Sequence, residues 1–247
     1  MSDIPITFGK PRAAAQPSPR QRVRDKLRAR EAVLGINPGF ASSALALECA
    51  RMGADLIFID CEHGGPDMET VCDMLRASAL AGAAAVVRPW TKDPGVLRRF
   101  IDAGIDGFIA PDIESADEVR ALARLVRDCD PADAQNFLLI ALIESKAAFD
   151  QLGDILATGL VDAVLVGSGD MAVSIGLTRR EDHAPVREMT FGVLQQARTA
   201  GVSAGAPLDR YGVRATVDAG GNLVMFFARD LLRAGLAAGC AELTEGR

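Results

Sequence analysis

Asp60-Cys61-Glu62-His63-Gly64 follows the apolar run Asp55-Leu56-Ile57-Phe58-Ile59. The run reads as a strand and the polar residues as the loop it enters. An imidazole at such a strand end is a candidate general base, because it titrates near neutral pH, and neighbouring carboxylates can orient it. His63 is one of only two histidines. The other, in Arg180-Glu181-Asp182-His183, reads as a solvated loop residue. Taken alone, the motif also reads as a strand cap with a surface histidine. Other apolar runs end in polar groups as well: Arg88-Pro89-Trp90, Glu144, and Gly167-Ser168-Gly169-Asp170. Either acid alone could be a helix cap or a first-turn residue. Two carboxylates with open positions suit a hard octahedral ion such as Mg²⁺ or Mn²⁺.

The pattern between these motifs says what must position them. Strands are expected near Val33–Ile36, Asp55–Ile59, Ala84–Arg88, Gly107–Ala110, Phe137–Ile143, Ala163–Val166, Val202–Ala204 and Leu223–Phe226. Helical periodicity covers Ser42–Met52, Met68–Ala81, Pro94–Ala103, Ser115–Arg127, Lys146–Ala157, Pro185–Ala200, Leu208–Ala219 and Arg229–Ala238. Ser42, Asp93-Pro94 and Ser115 are plausible helix starts, and Gly53, Gly82, Gly104, Gly201 and Gly220 plausible stops. This alternation is the count of an α/β (β/α)₈ TIM barrel, whose strand ends converge on one mouth. Glu144 and Asp170 fall one βα unit apart, so they can face one point. An open doubly wound sheet is the alternative, but Gly35-Ile36-Asn37-Pro38-Gly39 lacks its Gly-rich phosphate turn.

The 247 residues, 49% hydrophobic and 24% charged, suit one large soluble domain. A net charge of −6 argues against a nucleic-acid partner. No apolar run is long enough to span a membrane, so no membrane association is expected. Five scattered cysteines without a C-x-x-C pair read as small core residues in a reducing, cytoplasmic compartment. Cys61 could be a nucleophile, but adjacent residues leaving a strand point apart. Residues 1–22, with Lys10-Pro11-Arg12 and Pro17-Ser18-Pro19-Arg20, read as a disordered basic arm ahead of one barrel domain over 23–247.

Four segments in order, Phe58-Ile59-Asp60-Cys61-Glu62-His63-Gly64, Val87-Arg88-Pro89, Ile143-Glu144-Ser145-Lys146 and Val166-Gly167-Ser168-Gly169-Asp170-Met171, resemble the signatures of the class II pyruvate aldolases. That family includes the 4-hydroxy-2-oxoheptanedioate and 5-dehydro-4-deoxyglucarate aldolases and is related to the citrate lyase β-subunit. The resemblance extends from about Val23 to Ala241. It implies a (β/α)₈ barrel, a divalent metal (Mg²⁺ or Mn²⁺, with Co²⁺ as a further candidate), and reversible cleavage of 4-hydroxy-2-oxo acids to pyruvate or hydroxypyruvate and an aldehyde. It makes Glu144 and Asp170 the metal ligands, His63 the base, and Arg88 the arginine facing the keto acid. Asp60 and Glu62 flank the base, and Asp102 corresponds to an aspartate paired with the histidine. Ser168 and Gly169 correspond to the segment whose amides hold the substrate carboxylate. Phe227-Ala228-Arg229-Asp230-Leu231 resembles the last βα turn. A homo-oligomer, a hexamer in most members, is also implied.

The chain departs from the family pattern at Arg127–Asn136, where no Arg-Gly pair stands. Expected at the mouth, that short acidic segment would leave it open to small acceptors. Gly167-Ser168 replaces Gly-Pro, and Asp112 stands where an apolar residue is more usual. A Schiff-base aldolase would need a buried lysine, and Lys146 is the nearest to the site among Lys10, Lys26, Lys92 and Lys146. A citrate-lyase-like thioester-cleaving enzyme would want a basic groove, which the mouth loops lack. A silent barrel subunit would have no need of the metal pair, base and arginine together.

Overall fold

The computed structural model describes residues 17–179, 181 and 183–245. Eight parallel strands are β1 (Val33–Asn37), β2 (Leu56–Asp60), β3 (Ala84–Arg88), β4 (Gly107–Ala110), β5 (Leu138–Ile143), β6 (Ala163–Val166), β7 (Ser203–Gly205) and β8 (Leu223–Phe227). They pair in the order β7-β6-β5-β4-β3-β2-β1-β8. Asn222 closes the β7/β8 seam. Its backbone amide donates to the Ala204 carbonyl at 2.9 Å, and its side-chain oxygen accepts from the Ala204 amide at 3.2 Å. Gly205 permits this approach, since a Cβ there would come within 2.4 Å of the Leu223 carbonyl oxygen. The result is the expected (β/α)₈ barrel.

The helices are α1 (Pro19–Arg28), α2 (Ser43–Arg51), α3 (Met68–Leu80), α4 (Pro94–Asp102), α5 (Ala116–Cys129), α6 (Lys146–Asp150), α7 (Leu152–Ala157), α8 (Ser168–Ser174), α9 (Ala184–Thr199), α10 (Leu208–Asp218) and α11 (Ala228–Glu245). Ser42, Asp67, Asp93, Ser115 and Ser145 cap α2 to α6 by accepting first-turn backbone amides. The stretch expected as one helix over Lys146–Ala157 is two, broken at Gln151.

Two expectations are corrected here. The basic lead-in ends in structure, although its residues 1–16 lie outside the described part. Ser18 caps α1 with Pro19 at its first turn, and Val23 and Leu27 pack among the inward strand residues Leu56, Ala84 and Leu138. The basic residues of α1 form a plug at the bottom of the barrel. Lys26 meets Asp55 at 2.6 Å, Arg24 meets Asp162 at 2.8 Å, and Arg20 lies 3.8 Å from Asp106. Each aspartate precedes a strand and also accepts the amide of the neighbouring strand: Leu34, Leu139 and Ala85 respectively.

The second correction concerns Asp128–Asn136. This segment leads from α5 into β5, so it lies at the strand-start end and not at the mouth. Asp133 there pairs with Arg20 of α1. Its acidity anchors the plug, and it has no bearing on the acceptor.

Candidate active site

Strand alternation decides which residues face the barrel interior. Leu56 and Phe58 of β2, Ala84 and Val86 of β3, and Leu138, Ile140 and Leu142 of β5 share one inner cluster. Continuing each series by two places Asp60, Arg88 and Glu144 at the top of the barrel, pointing inward. The opposite register puts Ile57, Ile59 and Cys61 against the helices. Burial first, and the Asp60 charge second, push the Cys61 thiol up to about 12. That removes it as a nucleophile at neutral pH.

Arg88 organises the first half of the site. Its Nε and Nη2 donate to the two Asp60 oxygens at 3.0 and 2.5 Å, and Nη1 lies 2.9 Å from Glu62. Nη2 also lies 2.8 Å from His63 Nδ1. A guanidinium only donates, so this contact makes Nδ1 an acceptor and puts the proton of the neutral ring on Nε2. Glu62 stands 3.3 Å from the same Nδ1, ready to accept from it once the ring is charged. Asp60 also accepts the amides of Glu62 and His63, both at 3.1 Å, which fixes the turn carrying His63. Burial works against the Asp60 charge, but the Arg88 guanidinium and the two amides outweigh it and hold its carboxyl below the ordinary range. Burial likewise opposes the Arg88 charge, and Asp60, Glu62 and Glu144 reverse the balance upward.

Glu144 and Asp170 form the second half. Glu144 is buried, 6% exposed, and accepts the Asp112 amide at 2.8 Å. Asp112 adopts φ 50° to aim that amide, a left-handed conformation that aspartate tolerates better than most residues. Burial above all, and the charges of Asp112, Asp170 and Glu62, push the Glu144 carboxyl up to about 7 against the relief given by the Asp112 amide. Gly167 makes room for it, since a Cβ there would lie 2.7 Å from the Glu144 carboxylate. Asp170 stands in the first turn of α8 and pairs with Arg179.

These halves line two adjoining cavities that share Phe58, Arg88, Asp209, Arg210 and Phe227. The inner one, about 220 Å³, is lined by Glu144, Ser168, Gly169 and Asp170. The outer one, about 780 Å³, is lined by His63, Asn37, Phe40 and Arg229. Ser168 is 1% exposed, and its Oγ has no hydrogen-bond partner among the described residues. A buried hydroxyl left unsatisfied is costly, so the inner cavity is suited to a polar occupant.

The residues fit a divalent cation there. Glu144 has three negative charges beside it, Asp112, Asp170 and Glu62, against the Arg88 guanidinium, and its carboxylate accepts the Asp112 amide. A hard cation would neutralise that concentration of charge. Asp60, Glu62 and His63 also bring ligand atoms within 4.8 Å of one another. Arg88 already fills that cluster with its guanidinium, so a metal would have to displace a half-buried ion network. Asp170 also carries a guanidinium, that of Arg179, but at 50% and 34% exposed this pair is the more solvated one and the less costly for a cation to displace.

Asp102 is not brought to this site. Helix α4 runs away from the mouth and Asp102 ends it, exposed, while within this chain His63 is held by Arg88 and Glu62. Lys146 is half-exposed and pairs with Asp150. Lys92 bonds the Asp112 carbonyl at 2.7 Å and Glu118 at 2.6 Å, and Lys26 is committed to α1's contacts. Among the described lysines none is a buried Schiff-base candidate. His183 Nε2 lies 3.1 Å from both the hydroxyl and the carbonyl oxygen of Thr178, and the carbonyl can only accept from it; its role is to tie the loop. Residues the sequence reading passed over are Arg179 on Asp170, Arg210 at the junction of the cavities, and Arg229. Their signal was weak, since arginines in loops and first turns are usually solvated.

The family profile described as HpcH/HpaI aldolase/citrate lyase matches residues 38–210. A hydroxypyruvate/pyruvate aldolase of Roseovarius nubinhibens is 29% identical over 84% of this chain and 90% of its own length. A 4-hydroxy-2-oxo-heptane-1,7-dioate aldolase of Salmonella arizonae is 28% identical over 74% of this chain and 78% of its own. Among solved structures, an HpcH/HpaI aldolase/citrate lyase family protein from Burkholderia cenocepacia superposes with a TM-score of 0.80 at 28% identity, covering 90% of this chain and 99% of that one.

Proposed function

This chain belongs to the HpcH/HpaI aldolase/citrate lyase family, and we propose that it is a metal-dependent aldolase that reversibly cleaves 4-hydroxy-2-oxo acids to pyruvate or hydroxypyruvate and an aldehyde. The observation that carries this reading is the pair of adjoining cavities with Arg88 between them. The inner one takes the 2-oxo acid and the outer one the aldehyde. Glu144 and Asp170 would hold the divalent cation, Mg²⁺ or Mn²⁺ by their oxygen donors. A bound cation supplies Lewis acidity toward the keto oxygen.

The protein's own groups do the rest. Ser168 Oγ and the adjoining Gly169 segment are placed to bind the substrate carboxylate. His63 takes the proton of the C4 hydroxyl on Nδ1, its one basic lone pair, directly or across one water; the Arg88 Nη2–H contact to Nδ1 gives way, and Glu62 accepts the Nδ1–H that results. Arg88 has one N–H beyond its contacts to Asp60, Glu62 and His63, and this faces the negative charge that grows as the C3–C4 bond breaks. Chelation should abolish pyruvate formation, and added Mg²⁺, Mn²⁺ or Co²⁺ should restore it. Full activity in chelator, with borohydride trapping of pyruvate on a lysine, would replace this reading by Schiff-base chemistry.

On the acceptor side, Arg229 faces the outer cavity with its guanidinium 5.9 Å from the Phe40 ring. It meets an anionic group on the aldehyde, whereas Arg233 on the same wall pairs with Asp230 and Arg210 is bonded to backbone carbonyls. We therefore expect Arg229→Gln to lower kcat/KM for succinic semialdehyde about tenfold or more and to leave glycolaldehyde within about twofold. Equal effects on both aldehydes would show that Arg229 does not read the acceptor.

A homo-oligomer suits the exposed Leu231, Leu232 and Leu236 of α11, a face that assembly would cover. No helix among the described residues is long and apolar enough to cross a membrane.

A further inference from the structure

Asp170 is committed to a partner inside the protein. Arg179 Nη1 lies 3.1 Å from its Oδ2, and Nη2 contacts Oδ1, so the fork spans both carboxylate oxygens. The arm of Arg179 lies over Gly169, where a Cβ would come within 2.9 Å of its Cγ. Glycine at that position is what lets the arginine reach across the start of α8. The backbone is fastened as well: Arg210 donates to the Arg179 carbonyl and, at 3.1 Å, to the Glu181 carbonyl. His183 ties the same loop through Thr178. A surface arginine that merely happened to find a carboxylate would need neither the glycine gap nor the backbone anchor.

We infer that Arg179 is a built-in competitor for the metal ligand Asp170, setting the cation affinity of the site below what its carboxylates would otherwise give. The inference rests on the reading that Glu144 and Asp170 hold the divalent ion. A cation arriving at Asp170 must take an oxygen from the guanidinium or share the carboxylate with it. In either case a positive charge within a few ångströms opposes the arriving ion, and the bidentate pair adds its own energy to what must be exchanged. Both side chains are partly solvated, at 50% and 34% exposed, which keeps the effect moderate.

The test is Mn²⁺ binding without substrate, with free Mn²⁺ followed by electron paramagnetic resonance, on wild type, Arg179→Gln, Arg179→Lys and Glu144→Gln. Arg179→Gln should bind Mn²⁺ about three- to thirtyfold more tightly than wild type. The difference should shrink as KCl is raised, because the opposing charge is screened. Arg179→Lys keeps the charge and loses the fork, so it should fall between the two; it also serves if the glutamine variant does not fold. Unchanged or weaker Mn²⁺ binding in the arginine variants overturns the inference, because it would make Arg179 neutral or an orienting partner of Asp170. Wild-type affinity in Glu144→Gln would instead overturn the assignment of Glu144 as a ligand and leave the Arg179 effect standing. No binding by wild type or either arginine variant would overturn both.

Discussion

Glu144→Gln is expected to lose pyruvate-forming cleavage by a factor of about 10³ or more and, in the same preparation without metal, to melt at a higher temperature than wild type at pH 8. The two effects have one cause. Glutamine keeps an oxygen for the Asp112 amide, which wild type bonds at 2.8 Å, and removes a buried charge pressed by Asp112, Asp170 and Glu62. The sign follows from the direction of the shift. Burial raises the folded-state carboxyl from 4.5 to about 7, so the folded wild type holds a proton that the unfolded chain gives up. Its stability relative to the glutamine variant therefore falls between about pH 4.5 and pH 7 and is level above that. At 1.36 kcal/mol per pH unit the full effect is roughly 3 kcal/mol, several degrees in Tm for a domain of this size. The same proton opposes the metal, so wild-type Mn²⁺ affinity should drop up to about tenfold for each pH unit below 7. A glutamine variant that melts no higher at pH 8, or that still binds Mn²⁺ as wild type does, would show that Glu144 is not the charged centre of the site.

Much of this site was legible because strand alternation is a strict geometry. Once Leu56 and Phe58 face inward, Asp60 must follow, and the same step takes Val86 to Arg88 and Leu142 to Glu144. The polar strand ends therefore announced both the barrel and its mouth. What stayed hidden depended on three-dimensional partners. The lysines and arginines of α1 look like a solvated arm until Asp55, Asp106 and Asp162 are seen beneath them. The periodic signal was two residues, Val23 and Leu27, in one short helix. Helix α8 was missed because Gly167-Ser168-Gly169 has poor helix propensity, and the strand end that feeds it overrides that. The Asp128–Asn136 segment was assigned to the wrong end of the barrel. A segment that leads from a helix into a strand belongs to the face opposite the chemistry. For the same reason Asp102, at the end of α4, stands away from His63.

The proposed division of labour between His63 and Arg88 yields the second large effect. Oxaloacetate decarboxylation at the same site develops the same negative charge on the keto oxygen as aldol cleavage, but no hydroxyl proton has to be removed. His63→Ala should therefore lower aldol cleavage by about 10²–10⁴-fold, the usual range for a general base, and lower decarboxylation by less than about tenfold. Arg88→Ala should damage both reactions, since the guanidinium faces the charge common to them. It should also loosen the turn that carries His63, because Asp60 would lose the contacts at 3.0 and 2.5 Å that hold it. Glu62→Gln separates proton acceptance from charge stabilisation. It keeps an oxygen near His63 Nδ1, 3.3 Å away in the wild type, but stabilises the charged ring less, so cleavage should fall more than decarboxylation. The structure ties these expectations together: Nδ1 accepts from Arg88 at 2.8 Å while the ring is neutral and has Glu62 in reach once it is charged. A His63→Ala variant that loses both reactions equally would place the imidazole with the charge-stabilising groups, and the base would then have to be sought elsewhere along the outer cavity.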